Sequence, residues 1–282
     1  MNTVILVPTD FSELARKGIL YACELASALQ ADIKLLYVYP YPAIPAEVPS
    51  DFFHSSSQQL REAADTKIHA LMEELSALYP DVQFHKLVDQ GPVVANISQY
   101  AETEKASLIV MATAGAEGIK KWFVGSFAAG VVDTSEVPVL VIPDDFEFQH
   151  IPQKILFATD YAQGEPGPLE EVASLAALID AEIIITHINL GNESLATEMF
   201  EWYKQKIEAA IPYHRKTFHL VNGDDLQQTL DSLVNLKQAD LLVMSIRERT
   251  FWEAVKRKSE TKEMAYHASV PLLTYHLANF KQ

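Results

Sequence analysis

The chain has 282 residues, 49% of them apolar and 21% charged, which is ordinary for a globular protein and enough for two domains. Its net charge of −16 argues against a nucleic-acid or anionic-membrane binder, because phosphate contacts need a surplus of Lys and Arg. One cysteine, Cys23, excludes an intrachain disulfide and a multi-cysteine metal site, and no apolar run approaches the roughly 18 residues of a membrane span.

The first predicted element is an all-apolar strand, Val4-Ile-Leu-Val7, closed by Pro8-Thr9-Asp10-Phe11-Ser12. Leu14, Gly18, Tyr21, Leu25 and Leu29 then mark an amphipathic helix to about Gln30. Ile33 to Val38 reads as a second strand. Tyr39 to Ser57 carries four prolines and a serine run and reads as a long loop or lid. A helix over Gln58–Tyr79, a strand over Val82–Val88 and a helix opened by Gly91-Pro92 follow. Leu108-Ile-Val-Met111 is a buried parallel strand by pattern, Phe127 to Thr134 a helix, and Val137 to Ile142 the last strand of the half.

The order then repeats. Ile155-Leu-Phe-Ala-Thr-Asp160 echoes Ile5-Leu-Val-Pro-Thr-Asp10 at an offset of 150, and Leu242-Val-Met244 echoes Ile109-Val-Met111 at an offset of 133. The difference of 17 residues is about the length of the Tyr39 to Ser57 segment, which is therefore an insertion in the first half. Alternating strands and helices imply parallel sheets with right-handed crossovers, here in two domains, 1–146 and 147–282. The start, which runs directly into a strand with no signal-type segment, points to a cytoplasmic protein.

Between the fourth strand and the fourth helix lie Gly115, Gly118 and Gly125-Ser126, on a crossover where open α/β sheets bind ligands. Backbone N–H groups of such a glycine-bearing segment can face a phosphate. It is neither a Walker loop nor a dinucleotide fingerprint. Gly115, nine residues, then Gly125-Ser126 resembles the nucleotide loop of the universal stress protein family, G-x2-G-x9-G-S/T, with Ala112 where the first glycine would stand. The chain resembles that family from end to end, twice over.

The resemblance implies two Rossmann-like (adenine nucleotide alpha hydrolase-like) domains, each a five-stranded parallel sheet with helices on both faces. It also implies dimerisation through the last strand, so Val137–Ile142 and Pro271–His276 could pair within one chain as a pseudo-dimer. The implied ligand is ATP, accompanied by Mg, in the first domain only. Its site would comprise Pro8, Thr9, Asp10, Val38, Met111, Ala112, Gly115, Gly125, Ser126 and Phe127. Asp10 would touch the nucleoside and the Val38 backbone the adenine edge. Read from the residues alone, Asp10-x-x-Glu13 is also a capping box, repeated as Asp160-x-x-Gln163. Likewise Val38, Met111 and Phe127 could be core, and Ser126 could bond a phosphate or cap its helix.

The repeat acts as an internal control. The second half has Ser245, Glu248 and Lys258-Ser259 where the first has Ala112, Gly115 and Gly125-Ser126, so the fold does not demand those glycines. Glu248 would set a carboxylate against a phosphate, which disfavours a second site. The nine histidines are scattered, with no H-E-x-x-H, and no G-x-S-x-G is present, so neither a metal site nor a catalytic residue is assigned. Three functional readings follow: an ATP-binding stress-response regulator or sensor, an interaction module with decayed sites, and a slow ATPase. A protein partner, unidentified, and a homodimer are compatible with all three.

Overall fold

The computed structural model describes residues 3–39, 50–113, 126–161, 166–190, 195–246 and 270–280, with the backbone alone for 50–57 and for Ser126. Two compact units emerge: the chain up to Ala112 with Ser126–Val137, and the chain from Pro138 onward.

In the first unit the strands are β1 (Val4–Pro8), β2 (Asp32–Tyr39), β3 (Phe84–Gln90) and β4 (Leu108–Thr113), in the spatial order β3-β2-β1-β4. All are parallel, with Val4 opposite Asp32, Ile33 opposite Phe84 and Ile5 opposite Leu108. The helices are α1 (Glu13–Leu29), α2 (Ser50–Leu78), α3 (Val93–Thr103) and α4 (Ser126–Thr134). Central strands covered by helices must be apolar along their whole length. Ile5, Leu6, Leu35, Leu36, Ile109 and Val110 are accordingly buried. Ile19, Ile68, Ile97 and Val131 are the inner residues of the four helices. Each such aliphatic side chain contributes roughly 1.5–3 kcal/mol by leaving water.

α2 starts at Ser50, so the segment read as loop through Ser57 is helical in its last eight residues. The four prolines all precede that start, the last being Pro49, and once they are passed nothing in the backbone chemistry stops a helix. Residues 40–49 lie outside the described part.

The second unit holds β5 (Val139–Pro143), β6 (Lys154–Thr159), β7 (Glu182–Leu190), β8 (Lys216–Gly223), β9 (Leu241–Ile246) and β10 (Leu272–His276), with α5 (Pro166–Ile179), α6 (Ala196–Ala210) and α7 (Leu226–Lys237). Its strand order is β5-β10-β9-β6-β7-β8. Every pair described is parallel except β5–β10, where Leu272, Leu273 and Thr274 stand opposite Val141, Leu140 and Val139. The pairing expected of the two half-terminal strands is therefore present, and its orientation is antiparallel. The Thr274 hydroxyl, itself buried, donates to the Val139 carbonyl at 3.1 Å and adds about 1 kcal/mol to the ladder.

Candidate nucleotide site

The site is built at the C-terminal ends of β1, β2 and β4. Where β1 ends, the chain makes a tight turn fixed by its own side chains. The Thr9 N–H donates to the Leu36 carbonyl at 2.9 Å, and the Phe11 N–H to the Thr9 hydroxyl at 3.0 Å. The Ser12 N–H donates to Asp10 Oδ1 at 2.9 Å, and the Ala15 N–H to the Ser12 hydroxyl at 3.1 Å.

Ser12, not Asp10, is thus the N-cap of α1, and the capping-box reading of Asp10 is corrected. The reason is Phe11. Its φ of 64° turns the chain once more between Asp10 and the helix, which leaves Asp10 in an Asx turn, exposed at the strand end. A non-glycine residue in this region costs about 1–2 kcal/mol. Here the Thr9 bond and the Phe11 ring, 4.7 Å from that of Tyr37, hold it in place.

The second unit repeats the device. Tyr161 has φ 61°, its N–H donates to the Thr159 hydroxyl at 3.1 Å, and its ring stacks on His187 at 4.0 Å. Thr9 and Phe11 therefore serve the architecture whatever else they contact. In the second unit the fully buried Tyr203 packs on Tyr161 as well, with ring centroids 4.9 Å apart, and the His187 ring bonds the Thr159 carbonyl through Nδ1 at 2.8 Å.

On β2, Val38 is buried and stands opposite Asp89, and Tyr39 stands opposite Gln90. Met111 is buried near the end of β4, while Ala112 is half-buried. Ala112 meets α1 at Gly18. A Cβ placed on Gly18 would lie 2.9 Å from the Ala112 nitrogen and 3.2 Å from the Ala112 Cβ, so only glycine lets this helix approach β4 so closely. The nearest atom is the Ala112 backbone nitrogen, so glycine at 18 is set by the packing of α1 on the main chain at the end of β4.

α4 begins at Ser126, one residue before the expected start at Phe127, and Phe127 is exposed, which removes the core reading for it. Gly115, Gly118 and Gly125 lie outside the described residues. Among the described residues no cluster of three or more metal-ligating side chains occurs.

Sequence reasoning missed a polar cavity of about 460 Å³ at the ends of β2 and β3, lined by Tyr39, Gln58, Arg61, Val88, Asp89 and Gln90. Asp89 accepts hydrogen bonds from Asn96 Nδ2 at 2.9 Å and from the Gln90 N–H at 2.8 Å. Burial, and secondarily the charge of Asp89, raises the pKa of Tyr100. Among the described residues the buried Gln90 side-chain nitrogen has no hydrogen-bond partner, a donor that a ligand could satisfy. The rule that ligands sit beyond strand C-termini favours this end of the sheet but does not bring together residues from β2, α2 and β3. The cavity was passed over because no glycine marks it.

A mostly parallel sheet with helices between its strands, and with a tight turn and a polar cavity at its strand ends, defines a Rossmann-like α/β protein. The chain belongs to the universal stress protein family, whose model matches residues 1–143. It is 33% identical over 142 residues to a universal stress protein of Thermus aquaticus, covering 50% of this chain and 99% of that one. It is 29% identical over 141 residues to one of Methanocaldococcus jannaschii, covering 49% and 80%. A universal stress protein structure from Archaeoglobus fulgidus covers 97% of this chain and 96% of its own at a TM-score of 0.71 and 19% identity, a likeness of fold that extends through both units.

Proposed function

We propose that the first unit binds an adenine nucleotide, ATP with its accompanying Mg, and that the chain is a nucleotide-responsive regulator of stress responses acting in the cytoplasm. The observation that carries the reading is the spacing of Gly115, Gly125 and Ser126 on the crossover from β4 to α4, at the C-terminal end of the sheet. The turn Pro8-Thr9-Asp10 offers an exposed carboxylate for a ribose or base edge, and Val38 offers backbone beside it. Ser126 and Phe127 open a helix whose N-terminal N–H groups suit a phosphate.

The second unit, residues 147–282 together with the strand borrowed from the first half, serves as a structural partner. Its crossover carries Glu248 and Lys258 in place of glycines, and the Tyr161, His187 and Tyr203 rings are packed together at its first strand end. Among the described residues no side chain is assigned as a general base or nucleophile, and the proposed role is binding.

Calorimetry with ATP tests the proposal. One site per chain is expected, abolished by Gly125→Asp, which adds bulk and negative charge, and unaffected by Glu248→Gly. Two equivalent sites, or a site that survives Gly125→Asp, would overturn it. A chain that binds no nucleotide would favour the interaction module, for which Ala112 is the one supporting feature.

A further inference from the structure

We propose that the chain self-associates through α6, two copies crossing antiparallel about Trp202. The helix buries one face through Ala196, Phe200, Tyr203 and Ile207, at the spacing a core-facing helix requires. A second apolar stripe runs beside it on the surface: Leu195 is 57% exposed, Met199 45% and Trp202 58%. These lie at i, i+4 and i+7, so they form one ridge, continued at i+11 by Lys206, whose ammonium sits over the Trp202 ring at 5.5 Å. Elsewhere among the described residues the exposed large apolar side chains stand singly, with no two at turn spacing on one helix. Scattered apolar residues are normal on a surface, whereas a continuous ridge centred on tryptophan is the composition of a contact centre.

The charges beside the ridge name the occupant. Glu198 and Lys206 are each four residues from Trp202, on opposite sides. When the helix crosses a copy of itself antiparallel at Trp202, Glu198 of each copy faces Lys206 of the other, and the pair forms twice by symmetry. A basic partner would meet Lys206, and an acidic one Glu198, so neither suits both ends of the ridge. Self-pairing is also the arrangement that brings opposite charges together in a chain whose net charge of −16 otherwise repels its copies. The β5–β10 pairing lies within one chain and so leaves α6 as a separate contact between chains.

Sedimentation equilibrium of the full chain across a wide concentration range is the test, with circular dichroism confirming that each variant is folded. A dimer is expected. Trp202→Glu, at a solvent-exposed position that leaves the core intact, should weaken it at least tenfold. Glu198→Lys alone should weaken it several-fold, and adding Lys206→Glu should restore it, since the reversed pair is again complementary. A full chain that stays monomeric throughout, a dimer indifferent to Trp202→Glu, or a double variant no better than Glu198→Lys would each overturn the proposal.

Discussion

Replacing Gly18 by alanine perturbs the close packing of α1 on the end of β4, beside the proposed nucleotide site. The added methyl would lie 2.9 Å from the Ala112 backbone nitrogen and 3.2 Å from its Cβ, against an ordinary contact of 3.4 Å or more. The first neighbour is main chain and cannot rotate away, so α1 or the end of β4 must shift by several tenths of an ångström. Overpacking of this kind costs about 1–3 kcal/mol, whereas alanine in a helix interior regains about 1 kcal/mol over glycine. The net expectation is a loss of roughly 0–2 kcal/mol, seen as a fall of about 4 °C in the melting temperature of the first unit per kcal/mol. ATP affinity should fall with it, by roughly tenfold, about 1.4 kcal/mol, because the displaced residues lead directly into the loop. Adding Ala112→Gly removes the Cβ contact but not the backbone one, so it should recover only part of both losses. Melting followed by circular dichroism and calorimetry with ATP supply the readouts. A Gly18→Ala protein that melts higher than the wild type and binds ATP unchanged would refute the reasoning.

Three further outcomes follow from the packing. Cys23 is fully buried on α1, and burial pushes its thiol pKa up to about 12, so a thiol reagent at pH 8 should label it only as the chain unfolds. The Asp231 carboxyl on α7 is raised to about 6 by burial, and secondarily by Asp225. The folded chain therefore holds a proton that the unfolded chain has released at about pH 4–6. This group's effect is absent below the lower value and lowers stability progressively as pH rises through that window. Asp231→Asn should remove the loss, narrowing the difference in urea midpoint between pH 4.5 and pH 7. A fragment of residues 1–146 deprives β5 of β10, leaving Val139-Leu-Val-Ile142 uncovered. It should dimerise or aggregate in sedimentation, and a well-behaved monomer would show the edge to be protected otherwise.

The strands and helices were legible because their periodicities were clean. The apolar runs Val4–Val7 and Leu108–Met111 read as buried parallel strands, and the 3.6-residue stripe of α1 read as an amphipathic helix. The pairing of β5 with β10 was accessible because both ends carried the same unprotected strand. Two places resisted. The turn after β1 was misread as a capping box because pattern alone does not reveal that Phe11 takes a positive φ. The start of α2 was missed because four prolines and a serine run dominated the segment before it. The Gly18–Ala112 contact could not be read at all, since 94 residues separate two positions that tertiary packing brings together. The cavity beside Gln90 was equally hidden, because Tyr39, Arg61 and Asp89 come from three elements and no spacing relates them.

The central claim is one functional nucleotide site in a chain built from two similar halves. Native mass spectrometry of the purified full chain titrated with ATP counts bound ligands per chain directly. A single bound ATP that saturates at one, and disappears in Gly125→Asp, is the result the account predicts. Two ATP molecules bound per chain, or one that persists in Gly125→Asp, would contradict it.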